Sequence, residues 1–364
     1  MAKSEESQAG FSRPFRAILR RPLRVVEGRR RLLKWIGAGA VALGAGGLGL
    51  KRLLGDGDAP QGGWRPFRAQ GVVVVVKHKA ALRSDGSADP QAVAQMVNAG
   101  VCRLTGEREP RQAWRRFVRP EDFVALKVNC LAAPELRSHP EIARAATDGL
   151  AGVVSRRENL LIYDRLTEEL RQGGFAVNHD GPGVRCYGSD AAGYDPEVSE
   201  SGAVGTCLSR IVSTHATAII NLPVLKDHDL AGISVALKNH FGSINNPNKM
   251  HTDHCTPYVA DLNLMPALRE KQRLIVCDAL LVTYQGGPAL NPPYTAHHGA
   301  VLVGTDPVAV DAVGLGIIES LRKQRGLEPL ASLPRAPRYI ALAGRYGLGV
   351  ADPARIKTIT VDLS

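Results

Sequence analysis

"GVVVVVK", residues 71–77, sets five consecutive valines between a glycine and a lysine. An unbroken β-branched run of strand length predicts a strand buried on both faces, as a sheet with helices on either side requires. Six later runs share this character: "DFVALKVN" (122–129), "NLLIYD" (159–164), "TAIINLPV" (217–224), "RLIVCDAL" (273–280), "AVLVGTD" (300–306) and "KTITVDL" (357–363). Helix starts fall between them at Asp89–Pro90, at Ser138 ahead of Pro140 and Glu141, and at Asp306–Pro307 leading "VAVDAVGLGIIESLRK". This alternation predicts an α/β fold, a mostly parallel sheet with helices on both faces and irregular insertions. Residues 55–70 read as a linker and 71–364 as the domain. Residues 174–205, rich in Gly, Asp and Ser, are expected to be an irregular insertion or small subdomain, and 283–299 a loop.

The 364 residues suit one large domain, and 44% hydrophobic with only 5% aromatic content describes an aliphatic core. Of the net charge of +11, residues 1–34 carry ten basic and three acidic side chains, so the body is only mildly basic. With few aromatics for base stacking and no nucleic-acid-binding module, the composition argues against a nucleic-acid partner.

"GRRRLLKWIGAGAVALGAGGLGL", residues 28–50, places Arg29 and Arg30, then Arg31, Leu32, Leu33 and Lys34, before a Gly/Ala-rich apolar run. It resembles a twin-arginine export signal. The resemblance implies the twin-arginine translocase as a partner and an exported protein, periplasmic or anchored on the outer face of the inner membrane. The run from Trp35 to Leu50 is shorter than the ~20 residues of a spanning helix. No clear small-x-small cleavage site follows it, so residues 1–54 are expected to be either a removed signal or a retained membrane anchor. The six cysteines include no Cys-x-x-Cys pair and no ferredoxin-type iron–sulfur motif.

"NLPVLKDHDLAGISVALKNHFGSINNPNKMHTDHC", residues 221–255, crowds ionisable groups around two apolar runs. Lys226 ends an apolar strand and Lys238 lies in an apolar segment. Burial of either one lowers its pKa unless an anion compensates, which makes it a base, a nucleophile or an anion ligand. His228, two residues beyond Lys226, is a candidate proton carrier, so Lys226, His228 and Lys238 form the candidate catalytic set. Ligands of doubly wound sheets lie outside the carboxyl ends of the strands. Lys127, Asn129 and Asp306 are therefore candidate substrate contacts, with Asp306 equally suited to cap a helix; Asn239, directly after Lys238, is another candidate. Gly242 is read as a helix C-cap. His251, His254 and Cys255, with Asp278, are candidate ligands for a divalent metal, the two histidines falling at i and i+3.

Together "NLPVLKDHDLAGISVALKNHFG", "FVALKVN" and "DPVAVDAVG" resemble the motifs of the domain of unknown function 362 family, over roughly residues 71–315. The resemblance implies an α/β fold and a shared pocket, with motif positions at Lys127, Asn129, Lys226, His228, Lys238, Asn239, Gly242, Asp306 and Asp311, and so adds Asp311 to the candidate substrate contacts. Some members carry iron–sulfur cysteines that this chain lacks. Three functions are compatible with these readings: a pocket for a carboxylate- or phosphate-bearing small molecule with acid/base chemistry, a metal- or iron–sulfur-related redox accessory, and a non-catalytic membrane-tethered binding module.

Overall fold

The computed structural model describes residues 63–363; the twin-arginine-like segment 1–54 and the first part of the linker lie outside them. Twelve strands follow in order: β1 (Val72–Lys77), β2 (Val124–Lys127), β3 (Leu160–Tyr163), β4 (Arg185–Cys186), β5 (Ser199–Ser201), β6 (Val204–Thr206), β7 (Ala218–Asn221), β8 (Lys226–His228), β9 (Gly232–Ser234), β10 (Gln272–Thr283), β11 (Thr295–Gly304) and β12 (Lys357–Asp362). Eight form one sheet in the order β12-β1-β11-β10-β7-β2-β3-β4, while β5–β6 and β8–β9 are separate hairpins. The sheet is mostly parallel, as expected for an α/β fold; only β11 runs against both of its neighbours.

The valine run behaves as its composition dictates. Val73 and Val75 pack into one core, Val74 and Val76 into a second, because successive side chains of a strand point to opposite faces. The second core is roofed by helices Pro90–Thr105 and Pro140–Ala151, and the first by Pro307–Gln324 and Arg338–Arg345. Two helix starts follow the sequence reading: Asp89 accepts from the N–H groups of Gln91 and Ala92, and Asp306 from those of Val308 and Ala309. At the third, His139 is the N-cap; the Ser138 hydroxyl instead binds the Leu222 carbonyl and the Asn129 N–H.

Two expected loops contain structure. Residues 174–205 supply β4 to the sheet edge and the β5–β6 hairpin, which Ala203 ties to Asp261 through its N–H. Residues 295–299 belong to β11. The described end of the linker, 63–70, has no helix or strand but packs on the body, with Phe67 edge-on to Phe117 and its N–H bonded to the Arg116 carbonyl. No helix among the described residues is long and apolar enough to cross a membrane.

Candidate functional site

At the carboxyl ends of β2 and β7 one face of the sheet changes character. Ala125 and Ile219 belong to the first core; the next residues on that face are Lys127 and Asn221, which are register partners. From β2 the chain moves outward to β3 and β4, then returns on the other side of β2 to lay down β7 and β10. Strand order thus reverses between β2 and β7, the place where an open α/β sheet leaves a crevice for a ligand.

Lys127 closes one wall of this crevice. Its Nζ donates to Asp164 Oδ1 at 2.6 Å, to the Val128 carbonyl at 2.6 Å and to Asn239 Oδ1 at 3.3 Å. An ammonium has three N–H bonds, so none remains. Asn239 is equally committed: Oδ1 accepts from Lys127 and from Asn129 at 3.2 Å, and Nδ2 donates to the Lys127 carbonyl and to Asn221 Oδ1. Both residues brace the site instead of reaching out from it. A Cβ at Gly242 would lie 2.6 Å from Lys127 Nζ and 2.7 Å from Asp164 Oδ1. The glycine is therefore there for close approach, not as the helix cap expected from the sequence; that position is His240.

The other wall is built by β8. Alternation along the strand puts Lys226 and His228 on one side and Asp227 on the other. Asp227 is consumed there by Arg335 at 2.7 Å and the Gly287 N–H at 3.0 Å. Lys226, 1% exposed, has one partner, Asn129 Oδ1 at 3.0 Å. Lys238 rides on the short helix Ala236–Asn239, whose first N–H groups donate to Asp311 Oδ1. Its ammonium lies 4.4 Å from the Phe241 ring centroid and donates to His251 Nε2 at 3.2 Å. His251 is the acceptor because its Nδ1–H is given to the Pro247 carbonyl. His251 also stacks on His228 at 5.6 Å. The N–H groups of Leu230 and Ala231 both point at His228 Nδ1, at 3.2 and 3.3 Å. Asp229, largely exposed, also lies 3.1 Å from that nitrogen. The two backbone donors are fixed, so they decide the tautomer and leave the proton on Nε2.

The electrostatics follow from this geometry. Burial first, and then the charge of Lys238, lower the Lys226 pKa to about 8. Burial lowers Lys238 to about 8 as well, against smaller upward pulls from Cys255 and Asp229. His228 is pushed down to about 2, first by burial and then by Lys238, so it is neutral at any physiological pH. The result is two buried ammonium groups, each with two N–H bonds unspent, beside two neutral imidazoles. Among the described residues, no carboxylate is bonded to either lysine.

The family model described as "Domain of unknown function (DUF362)" matches residues 124–316, just over half of the chain. The chain belongs to this family. The matched span runs from β2 into helix Pro307–Gln324 and so contains both walls of the crevice. No curated protein matches the chain. It is similar to a protein of Thermotoga maritima known from a crystal structure, at 10% identity and a TM-score of 0.38. The similarity covers 66% of this chain, which spans only 60% of that protein's length.

Of the other candidate residues of this DUF362 chain, only His251 belongs to the crevice wall. Asp306 sits at the opposite edge of the sheet, since it follows β11, the one reversed strand; Gly304 is level with Val73, near the amino end of β1. Its carboxylate accepts four backbone N–H groups, from Gly71, Val308, Ala309 and Val350, so it serves as a clamp. Asp311 is fully buried behind the Lys238 helix, where burial raises its pKa well above the carboxylate range. The proposed metal ligands are dispersed. His251 joins Lys238; His254 bonds the Leu230 carbonyl after the chain leaves helical geometry at Thr252; Cys255 is a buried thiol. Asp278 holds His139, through its N–H at 2.8 Å and Nδ1 at 2.7 Å. Among the described residues, no group of three or more His, Cys, Asp or Glu side chains is arranged to hold a metal ion. Sequence reasoning missed Asp164 as the partner of Lys127, and His139. A strand-end position marks Asp164, but only the residue before Pro140 marks His139.

Proposed function

We propose that the crevice between β2 and β7 binds a small carboxylate- or phosphate-bearing molecule, with Lys226 and Lys238 as the anion ligands, Asn129 positioning Lys226 and the His228 Nε2–H as a neutral donor. One observation carries this reading: two electrostatically coupled ammonium groups are buried with no carboxylate bonded to either, Asp164 and Asp229 acting on them only through space, an arrangement that costs stability unless an anion repays it. Lysines with pKa values near 8 are partly unprotonated around neutrality, so one of them takes up or releases a proton as the anion arrives and can serve as the acid or base of a reaction. His228, neutral and fixed in one tautomer, orients the ligand instead of carrying the proton. The twin-arginine-like leader adds export to this proposal, and replacing Arg29 and Arg30 by Lys should retain the chain in the cytoplasm on cell fractionation.

The test is isothermal titration of the purified protein with a panel of small carboxylates and phosphate esters, repeated on the variant with Lys226→Met and Lys238→Met. The expected result is saturable binding by the native chain that the variant loses by at least roughly a hundredfold, as befits removal of two charge-assisted contacts. Affinity that is unchanged in the variant would overturn the reading.

A further inference from the structure

A cavity of about 320 Å³ opens at the opposite, amino-terminal edge of the sheet. It is large enough for a small organic molecule. Arg68, Arg269 and Gln272 supply its donors, and Leu268, Pro307 and Leu348 its apolar wall. Asp306 also lines it, with its carboxylate oxygens held by four backbone N–H groups and its single negative charge outnumbered by the two guanidinium groups.

Two features mark this cavity as more than a gap. Gln272 is only 6% exposed, and its Oε1 accepts from Asn221 Nδ2 and from His240 Nε2, both at 2.8 Å. Because both neighbours donate, the amide orientation is fixed, and its N–H₂ end is left without a partner among the described residues. The two guanidinium groups belong to exposed residues and are free to turn to the cavity they line: among the described residues neither Arg68 nor Arg269 has a carboxylate or carbonyl partner. Burial, and then the charge of a third cation, Arg273, lower the Arg68 pKa from its ordinary value. Arg68 is held in place on both sides, by the Phe67 N–H on the Arg116 carbonyl and the Ala69 N–H on Thr305 Oγ1.

We propose that this cavity is a second anion site, which takes a small organic molecule with an oxyanion head, carboxylate or phosphate, and a short apolar body. The Arg68 and Arg269 forks bind the head, Gln272 adds an amide donor, and Leu268 and Leu348 cover the body. The site is independent of the lysine crevice in its ligand contacts, yet Gln272 joins the two through Asn221 and Asn239.

The experiment uses the full chain carrying Lys226→Met and Lys238→Met, so that the crevice lysines do not contribute, with inorganic phosphate and malonate as separate probes. Titration calorimetry should show saturable binding of one or both, the stronger of the two naming the head group. Adding Arg68→Gln and Arg269→Gln, both exposed positions that leave the fold intact, should weaken it by roughly tenfold or more. Gln272→Glu retains an oxygen for Asn221 and His240 but turns a second oxygen to the cavity, and should weaken it too; a purely structural Gln272 leaves the affinity unchanged. On the native chain, the bound probe should protect Arg68 and Arg269 from phenylglyoxal in peptide mass spectra. Absence of saturable binding by either probe, or binding that survives the double arginine substitution, overturns the proposal.

Discussion

Lys127 and Lys226 are each 1% exposed and stand on opposite walls of one crevice, yet they are in opposite electrostatic situations. Lys127 has a carboxylate at 2.6 Å and has spent all three N–H bonds; Lys226 has a single amide oxygen and a second cation nearby. Depth of burial therefore does not distinguish a ligand-binding lysine from a structural one. What compensates the charge does, and the two walls should respond to substitution with opposite signs. The largest effect belongs to the paired wall. Asp164→Asn leaves the Lys127 ammonium buried without its counter-charge, and should lower stability by about 3–5 kcal/mol, read from the urea midpoint.

On the other wall, replacing Lys226 and Lys238 by Met removes two desolvated charges and should stabilise the protein by about 1–4 kcal/mol. The effect depends on pH with a definite sign. Both lysines have folded pKa values near 8, below the ordinary 10.5. Between these values the unfolded chain holds more protons, so stability rises with pH. The gain is complete above about 10.5 and is lost as pH falls through about 8. The native chain should thus close part of its deficit relative to the double variant between pH 7.5 and 9.5. A stability difference that is flat over that range, or a double variant that is less stable, would break the contrast between the walls.

Much of the architecture was legible because it rests on patterns local to each segment. Five valines make a doubly buried strand in any context, and Asp–Pro steps start helices by capping geometry. Lys226 and Lys238 stood out because they interrupt apolar sequence. Asp306 illustrates what was not legible. Its strand end looks like the others, and only the pairing of β11 against β1 and β10 shows that it faces the far edge. The division of labour among Lys127, Asn239 and Lys226 was equally hidden, since it depends on hydrogen bonds between residues as much as 112 positions apart. Gly242 resembled a helix terminator for the same reason: the groups that exclude a side chain there come from β2 and the end of β3.

The smallest effect concerns the buried histidine at the carboxyl edge. Burial lowers the pKa of His139, but the Asp278 charge and hydrogen bond outweigh it, and the net shift is upward. This is the reverse of His228, which is buried among cations and driven down to about 2. Asp278→Asn keeps a hydrogen-bond acceptor but removes the charge, so the His139 midpoint, followed by the ring proton resonances, should drop below the ordinary 6.5. The stability that Asp278 confers through His139 is present in full below about 6.5 and disappears as pH rises through the raised midpoint. The variant should therefore lose more stability at pH 5.5 than at pH 8.5, read from the urea midpoint at each pH. An equal loss at both values would mean that Asp278 acts on the Leu280 and His139 backbone N–H groups alone, and that the imidazolium contributes nothing to holding helix Pro140–Ala151 to the sheet.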